Sequence, residues 1–548
     1  MLSDNGETAE EQRQQLQIQR TRRTFHVLAV VALLTAGAFG SQAVAASPTA
    51  APQPPSTTAQ EKGMRPGAAF HDPADADTLA HPNLTITLDA SRTRFELAGR
   101  EVKGETYDGH FVAPTLRMAP GSTVTINLVN HLPVATNLHF HGLHVSPSGQ
   151  SDDPFLCVAP GGSTTYRLVI PADHPQGTFW YHSHAMGQSC PPAGSTAMAG
   201  MAGMTDGTDG TGTSDPAFVP GDVENQIFAG LSGALIVGDD RTLLPPALRH
   251  ITTHTMVLKD VQLDASGTIA QNTATTAINS NNPTVRLVNG QLRPVLSMRP
   301  GETQLWRLVN AGADIFYQPH LDGYRFTVIG EDGTPVARVT NPDTLLLPPG
   351  KRYDVLVTAA DKPGRAVLRT TAYSNGPQGD AYPDTALATV KVAGRPVRHL
   401  PAVTGALPTA PADLAAVPVA QRRTLDLSEN ADGTLFYING KQFSMDGSVF
   451  ATPAKLGTVE EWTIVNHSGE DHPFHLHTNA FQVTSVNGAA QPYTHRQDIV
   501  PVPHAVDGVP GQVVIRVAFT DYAGPWMFHC HIAAHEDNGM MSFINVVA

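Results

Sequence analysis

The chain has 548 residues, 41% of them apolar and 15% charged, which is enough for several domains of common size, each with its own core. Thirty-five Lys and Arg against 49 Asp and Glu leave a net charge of −14. That balance argues against nucleic acid or an anionic membrane surface as a partner.

In chain order, the N-terminus comes first and reads as an address. Thr21-Arg22-Arg23-Thr24-Phe25 precedes an apolar run over 27–39, and Ala43-Val44-Ala45 then supplies a small-residue cleavage site. Such a run is too short to span a bilayer, so 1–45 is expected to be a removable signal. The paired arginines with Phe25 behind them are similar to a twin-arginine signal; an ordinary secretory signal is the alternative. Either predicts export to the periplasm or beyond. Residues 46–80, rich in Pro, Ala, Ser and Thr, predict a flexible tether. No later segment is apolar enough to cross a membrane.

The body of the chain repeats. Pro114-Thr-Leu-Arg-Met-Ala-Pro-Gly-Ser-Thr-Val-Thr-Ile-Asn-Leu-Val-Asn130 returns as Pro294-Val-Leu-Ser-Met-Arg-Pro-Gly-Glu-Thr-Gln-Leu-Trp-Arg-Leu-Val-Asn310, with nine of 17 positions identical. A weaker third copy runs from Gly457 to Asn466. Short Val/Ile/Leu/Thr-rich runs between Gly and Pro, such as 123–129, 304–309, 352–358 and 512–519, predict strands and all-β sandwiches. Domains are expected at 81–240, 241–395 and 421–548, with a Pro/Ala-rich linker at 396–420.

The repeats carry chemistry unequally. Nine and eleven residues after the closing Asn, copy one has His139 and His141, and copy three has His475 and His477. Copy two has Pro319 and Leu321, with His320 on the opposite face. Five residues after Gly177 stands His182-Ser183-His184; five after Gly524 stands His529-Cys530-His531. The matching stretch of copy two, from Gly364, reaches Arg369 and Thr371 and offers no ligand. With 24 histidines in the chain, chance gives roughly one His-x-His pair, counted as matches to a template. Four pairs are present. Alternation along a strand puts both histidines of a pair on one face and Cys530 on the other. Eight imidazoles can therefore converge on one site. His472, Cys530 and His535, with the Met540 thioether, make the soft His2Cys(Met) set of a blue-copper site. Ten His, one Cys and one Met suffice for four coppers. Zinc is the competing metal, but it favours closed sites with Cys-x-x-Cys-like spacing, and no such pair exists here. Domains one and three are expected to share the cluster, with domain two a metal-free spacer.

These four elements, His139-x-His141-Gly142, His182-x-His184, His472-Pro473-x-His475-x-His477 and His529-Cys530-His531, resemble the copper motifs of the multicopper oxidases, specifically the bacterial three-domain laccase-like enzymes. The resemblance runs from about residue 85 to the C-terminus. It implies three cupredoxin-like Greek-key β-sandwich domains. It also implies four coppers per chain: type 1 at His472, Cys530 and His535 with Met540 axial, type 2 at His139 and His475, and the type 3 pair at His141, His182, His184, His477, His529 and His531. The implied reaction is one-electron oxidation of a reductant coupled to four-electron reduction of dioxygen to water. Asp152, in Ser151-Asp152-Asp153-Pro154, resembles the family's acid beside the type 2 copper, with Asp153 left open as the alternative. Glu536 resembles a proton-relay glutamate. A thioether axial ligand implies a low-to-moderate type 1 potential.

Cys157 and Cys190 each follow a copper motif, and in an exported protein they are expected to pair; two free thiols are the alternative. The insert 187–224 carries Met198, Met201 and Met204, thioethers suited to Cu(I), though a solvated loop is the plainer reading. No such lid lies between His477 and His529, so the type 1 site is expected to be open to phenols or aromatic amines. Oxidation of Cu(I), Fe(II) or Mn(II) is the second reading, and a non-catalytic copper-binding envelope protein the third. Three repeats argue against a two-domain nitrite reductase.

Overall fold

The computed structural model describes residues 60–76, 85–186, 190, 220–273, 276–445 and 447–548. The signal, the first part of the tether and Met198, Met201 and Met204 lie outside the described residues.

The strands form three sandwiches in chain order. The first packs the sheet Arg100–Tyr107, Thr85–Leu97, Thr123–Asn130, Ser163–Val169 on the sheet Asp75–Ala76, Ala113–Met118, Ser232–Val237, Gly177–His182. The second and third each pair a six-stranded sheet with a smaller one, of four strands over 295–392 and of five over 454–547. The fold is the all-β, cupredoxin-like architecture that the strand pattern and resemblance imply.

The repeat has a physical cause. In every copy the central strand (Thr123–Asn130, Thr303–Asn310 or Thr458–Asn466) pairs in parallel with an earlier strand and antiparallel with a later one. Its closing Asn then ties down the next loop. Asn130 Nδ2 donates to the carbonyls of Val134 and Val158 at 2.9 and 2.8 Å. Asn310 does the same to Ile315 and Leu347, and Asn466 to Glu470 and Val502. Each Asn Oδ1 accepts the N–H two residues on. A buried amide that satisfies three backbone groups fixes where the chain goes next, which in copies one and three is into the His-x-His segment. Trp306 and Trp462 hold equivalent core positions, fully buried, each donating Nε1–H to a side chain two residues back.

One expectation changes. The tether is docked over 60–76: Glu61 pairs with Arg293, Asp72 accepts the Thr255 N–H, and Asp75–Ala76 adds a strand to the first sandwich. Its composition looked disordered, but these contacts bridge the first two sandwiches. The connector 396–420 forms no strand; it buries Val403 and Leu407 against the second sandwich and Leu414 against the third. Cys157 and Cys190 form a disulfide.

Candidate metal centre

The ligand strands meet in the same register in both metal-bearing sandwiches. His139 bridges His182 across the first, and His475 sits opposite His529 in the third. The two halves then face each other with approximate two-fold reciprocity. His139 stacks on His477 with centroids 3.8 Å apart, and His141 stacks on His475 at 3.8 Å. All eight imidazoles are essentially inaccessible to water.

Donor atoms of His139, His475 and His477 lie within 4.8 Å of one another, as do those of His184, His477 and His529, and those of His139, His141 and His182. His531 joins through its Nε2, 3.2 Å from His141 Nδ1.

In His139, His141, His182, His475 and His529 one ring nitrogen is anchored. His139 Nδ1 donates to Asp152 Oδ1 at 2.9 Å, His182 Nδ1 to the Ser183 carbonyl at 2.8 Å, and His475 Nδ1 to the Asp498 carbonyl at 2.8 Å. His529 Nδ1 donates to the Cys530 carbonyl at 2.9 Å and lies 3.0 Å from Glu536 Oε2. His141 is reversed: its Nε2 donates to Asp498 Oδ1 at 3.1 Å, leaving Nδ1 free. Anchoring one nitrogen fixes the tautomer and aims the other.

What remains is a set of orphans. Opposite an anchored Nδ1, the Nε2 atoms of His139, His182 and His475 are buried with no hydrogen-bond partner. A buried polar atom left unpaired costs about 1–3 kcal/mol, so these three, each aimed by its anchored partner nitrogen, are accounted for by a ligand. Burial first, and neighbouring imidazoles second, push His141, His475 and His477 well below the ordinary histidine range. The rings are neutral, with lone pairs available to a metal. The donor set fits copper.

The second cluster lies behind the same strand. Gly524–Cys530 ends at the cysteine, and the short helix Ala533–Asp537 turns His535 back toward it. Cys530 Sγ is 3.6 Å from Nδ1 of both His472 and His535, and those two nitrogens are 3.2 Å apart. This near-trigonal His2Cys arrangement suits copper. Burial pushes the Cys530 thiol up, so its thiolate belongs with a bound cation. His472 Nε2 is held by Ser468 Oγ at 3.0 Å, and His535 Nε2 lies 3.2 Å from Glu470 Oε1. Met540 is fully buried in the apolar cluster that contains Cys530, and its N–H donates to the His535 carbonyl. Met541 packs elsewhere, with Phe155, Met527 and Phe543.

The first domain shows the same corner without sulfur. Ser183 stands at the Cys530 position and Thr136 at the His472 position. Gln226 Oε1 accepts from both hydroxyls, at 2.6 and 2.7 Å. In the middle domain the equivalent strand Pro319–Leu321 buries Pro319 and Leu321, and His320 turns outward.

The acid positions resolve. Asp152 is buried on His139, and burial pushes its carboxyl up to about 7. Asp153 instead accepts the N–H groups of Gly149 and Phe155 in its own loop. Glu536 reaches His529, and its Oε1 is 3.3 Å from His184 Nε2. Three residues escaped the sequence reading: Asp498, Arg352 and Glu470. None carries a local spacing signal.

The expected open approach to His535 is narrower than the sequence suggests. The middle-domain loop around 374–380 closes on residues 469–471: Gln378 N–H donates to the Gly469 carbonyl and Tyr373 Oη to Asp471. About 9% of the His535 side chain stays exposed.

Three family models described as multicopper oxidase match residues 89–205, 251–394 and 416–547. The multicopper oxidase mco of Staphylococcus haemolyticus is 26% identical over 86% of this chain and 90% of its own length. The laccase of Bacillus subtilis is 25% identical over 79% and 88%. A solved structure described as a multicopper oxidase from Campylobacter jejuni, a metallo-oxidase, superposes with a TM-score of 0.70 at 23% identity, covering 88% of this chain and 96% of that one. On these matches, and on the donor set above, the chain belongs to the multicopper oxidase family and is an oxidoreductase that uses copper and dioxygen.

Proposed function

We propose that the protein is a laccase-like oxidase that takes single electrons from phenols or aromatic amines at the His535 edge and delivers four to dioxygen, giving two waters. The observation that carries this reading is the pair of buried clusters on opposite faces of one strand, Cys530 on one side and His529 and His531 on the other. In this assignment His472, Cys530, His535 and Met540 hold a type 1 copper, and His139 and His475 a type 2 copper. His141, His182 and His531 hold one type 3 copper, and His184, His477 and His529 the other. Bound copper supplies the one-electron chemistry at the cysteine site and dioxygen reduction at the histidine cluster.

The chain's own part is placement and protons. Cys530 is joined by peptide bonds to His529 and His531, so a covalent bridge links the two sites. Asp152 holds the Nδ1 proton of His139, and Glu536 lies against His529 and His184; these are the carboxylates placed to pass protons at the cluster. Asp152→Asn is expected to slow oxygen consumption by about 10–100-fold while leaving the type 1 colour intact. Unchanged turnover rejects the role.

A metallo-oxidase for Cu(I), Fe(II) or Mn(II) is the second reading. What favours it is Glu470, set against His535: burial first and the neighbouring Glu429 second push its carboxyl up to about 9, so a cation arriving there would take the place of its proton. Oxygen uptake by the copper-loaded protein, with a phenolic donor and with cuprous ion, separates the two. Faster uptake with the phenol is expected; a large preference for cuprous ion reverses the order. An exported location is part of the proposal, supported by the twin-arginine-like segment and by the Cys157–Cys190 disulfide.

A further inference from the structure

The middle domain brings no ligand to the histidine cluster, yet it brings a charge. Arg352, at the start of the strand Arg352–Thr358, is fully buried. Its Nη1 and Nη2 donate to Oδ1 and Oδ2 of Asp498, both at 2.7 Å, a two-pronged pair. The guanidinium is fixed further by the carbonyls of Gly350 at 3.0 Å and Thr178 at 3.3 Å. Asp332 accepts the Arg352 N–H at 3.0 Å and the Asp498 N–H at 3.2 Å. Asp498 is thus gripped by side chain and main chain from the second domain.

Its remaining capacity faces the histidines. Oδ1 accepts from His141 Nε2 at 3.1 Å, and the backbone carbonyl accepts from His475 Nδ1 at 2.8 Å. One residue therefore sets the tautomer and ring plane of two imidazoles, one from each side of the seam, that stack 15° from parallel. Space for the pair is made by Gly142, where a Cβ would sit 2.4 Å from both Arg352 Nη2 and Asp498 Oδ2.

A buried ion pair is a weak source of stability, because desolvating both groups offsets most of their attraction. Orientation is the better account of its use. We propose that Arg352 is a positioning residue of the copper cluster, acting through Asp498 to hold His141 and His475, so that the middle domain sets the geometry of a site to which it gives no ligand. This rests on the copper reading above.

Two variants of the full chain test it. Arg352→Lys keeps the charge and loses the fork. Arg352→Met combined with Asp498→Leu removes both charges and leaves neither buried alone. Copper per chain, the type 2 electron paramagnetic resonance spectrum, the cysteine–copper band and the melting temperature of the metal-free protein are compared with wild type. Both variants are expected to fold, to melt within a few degrees of wild type and to keep the band. At the cluster they are expected to bind copper about 10–100-fold more weakly, with a changed type 2 spectrum. Wild-type copper content and spectrum in both would overturn the proposal, and so would failure of both to fold, which makes the pair a structural bolt. A wild-type chain that takes up no cluster copper defeats the copper reading instead.

Discussion

Replacing Cys530 by serine is expected to remove the intense absorption of about 600 nm that a copper–thiolate bond gives, and to cut turnover by more than about 1,000-fold, equivalent to about 4 kcal/mol of barrier. The sulfur completes a triangle with His472 and His535 Nδ1 at 3.6 Å each, and no other free cysteine exists among the described residues to replace it. The protein already contains the oxygen version of this corner. At Ser183 the hydroxyl donates to Gln226 and addresses no imidazole. A serine at 530 is a hard, neutral donor with poor affinity for the soft metal this set selects. The histidine cluster on the opposite face is expected to keep its copper, which a metal assay reads. A Cys530→Ser protein that retains the blue band would place the thiolate site elsewhere.

Gly142→Ala is the second large effect. The backbone there has φ +82°, and the added methyl lands 2.4 Å from Arg352 Nη2 and from Asp498 Oδ2. The left-handed conformation alone costs about 1–3 kcal/mol in a non-glycine residue. Displacing the ion pair adds to that and loosens His141. Gly109→Ala is the control: its φ is +78°, but nothing lies within 4 Å of the new Cβ. Thermal unfolding is expected to show a clearly larger loss for Gly142→Ala than for Gly109→Ala, with loss of cluster copper in the former alone. Equal melting temperatures would remove the steric argument.

How much of this was legible in the sequence depends on distance along the chain. The convergence of the eight imidazoles was legible because each pair is separated by one residue, and strand alternation converts that spacing into a shared face. The repeats were legible because the Asn130, Asn310 and Asn466 amides perform one local job three times. Asp152 against Asp153 was not, because a one-residue register in a loop is settled only by which carboxylate meets His139. Asp498 was invisible for a different reason. It lies 357 positions from His141 and 146 from Arg352, so its role exists only once three domains have docked. The docked 60–76 segment was misread because a Pro/Ala/Ser/Thr-rich composition predicts a flexible tether, and tertiary hydrogen bonds overrode it; the middle-domain loop over 469–471 gave no local signal, because its contacts are long-range.

The central claim is that two buried clusters, joined through Cys530, hold a complete copper set. Copper counted per chain in the fully loaded protein tests it most directly. Four coppers per folded chain are expected, one lost on Cys530→Ser; a saturated wild-type chain that holds only one or two contradicts the account.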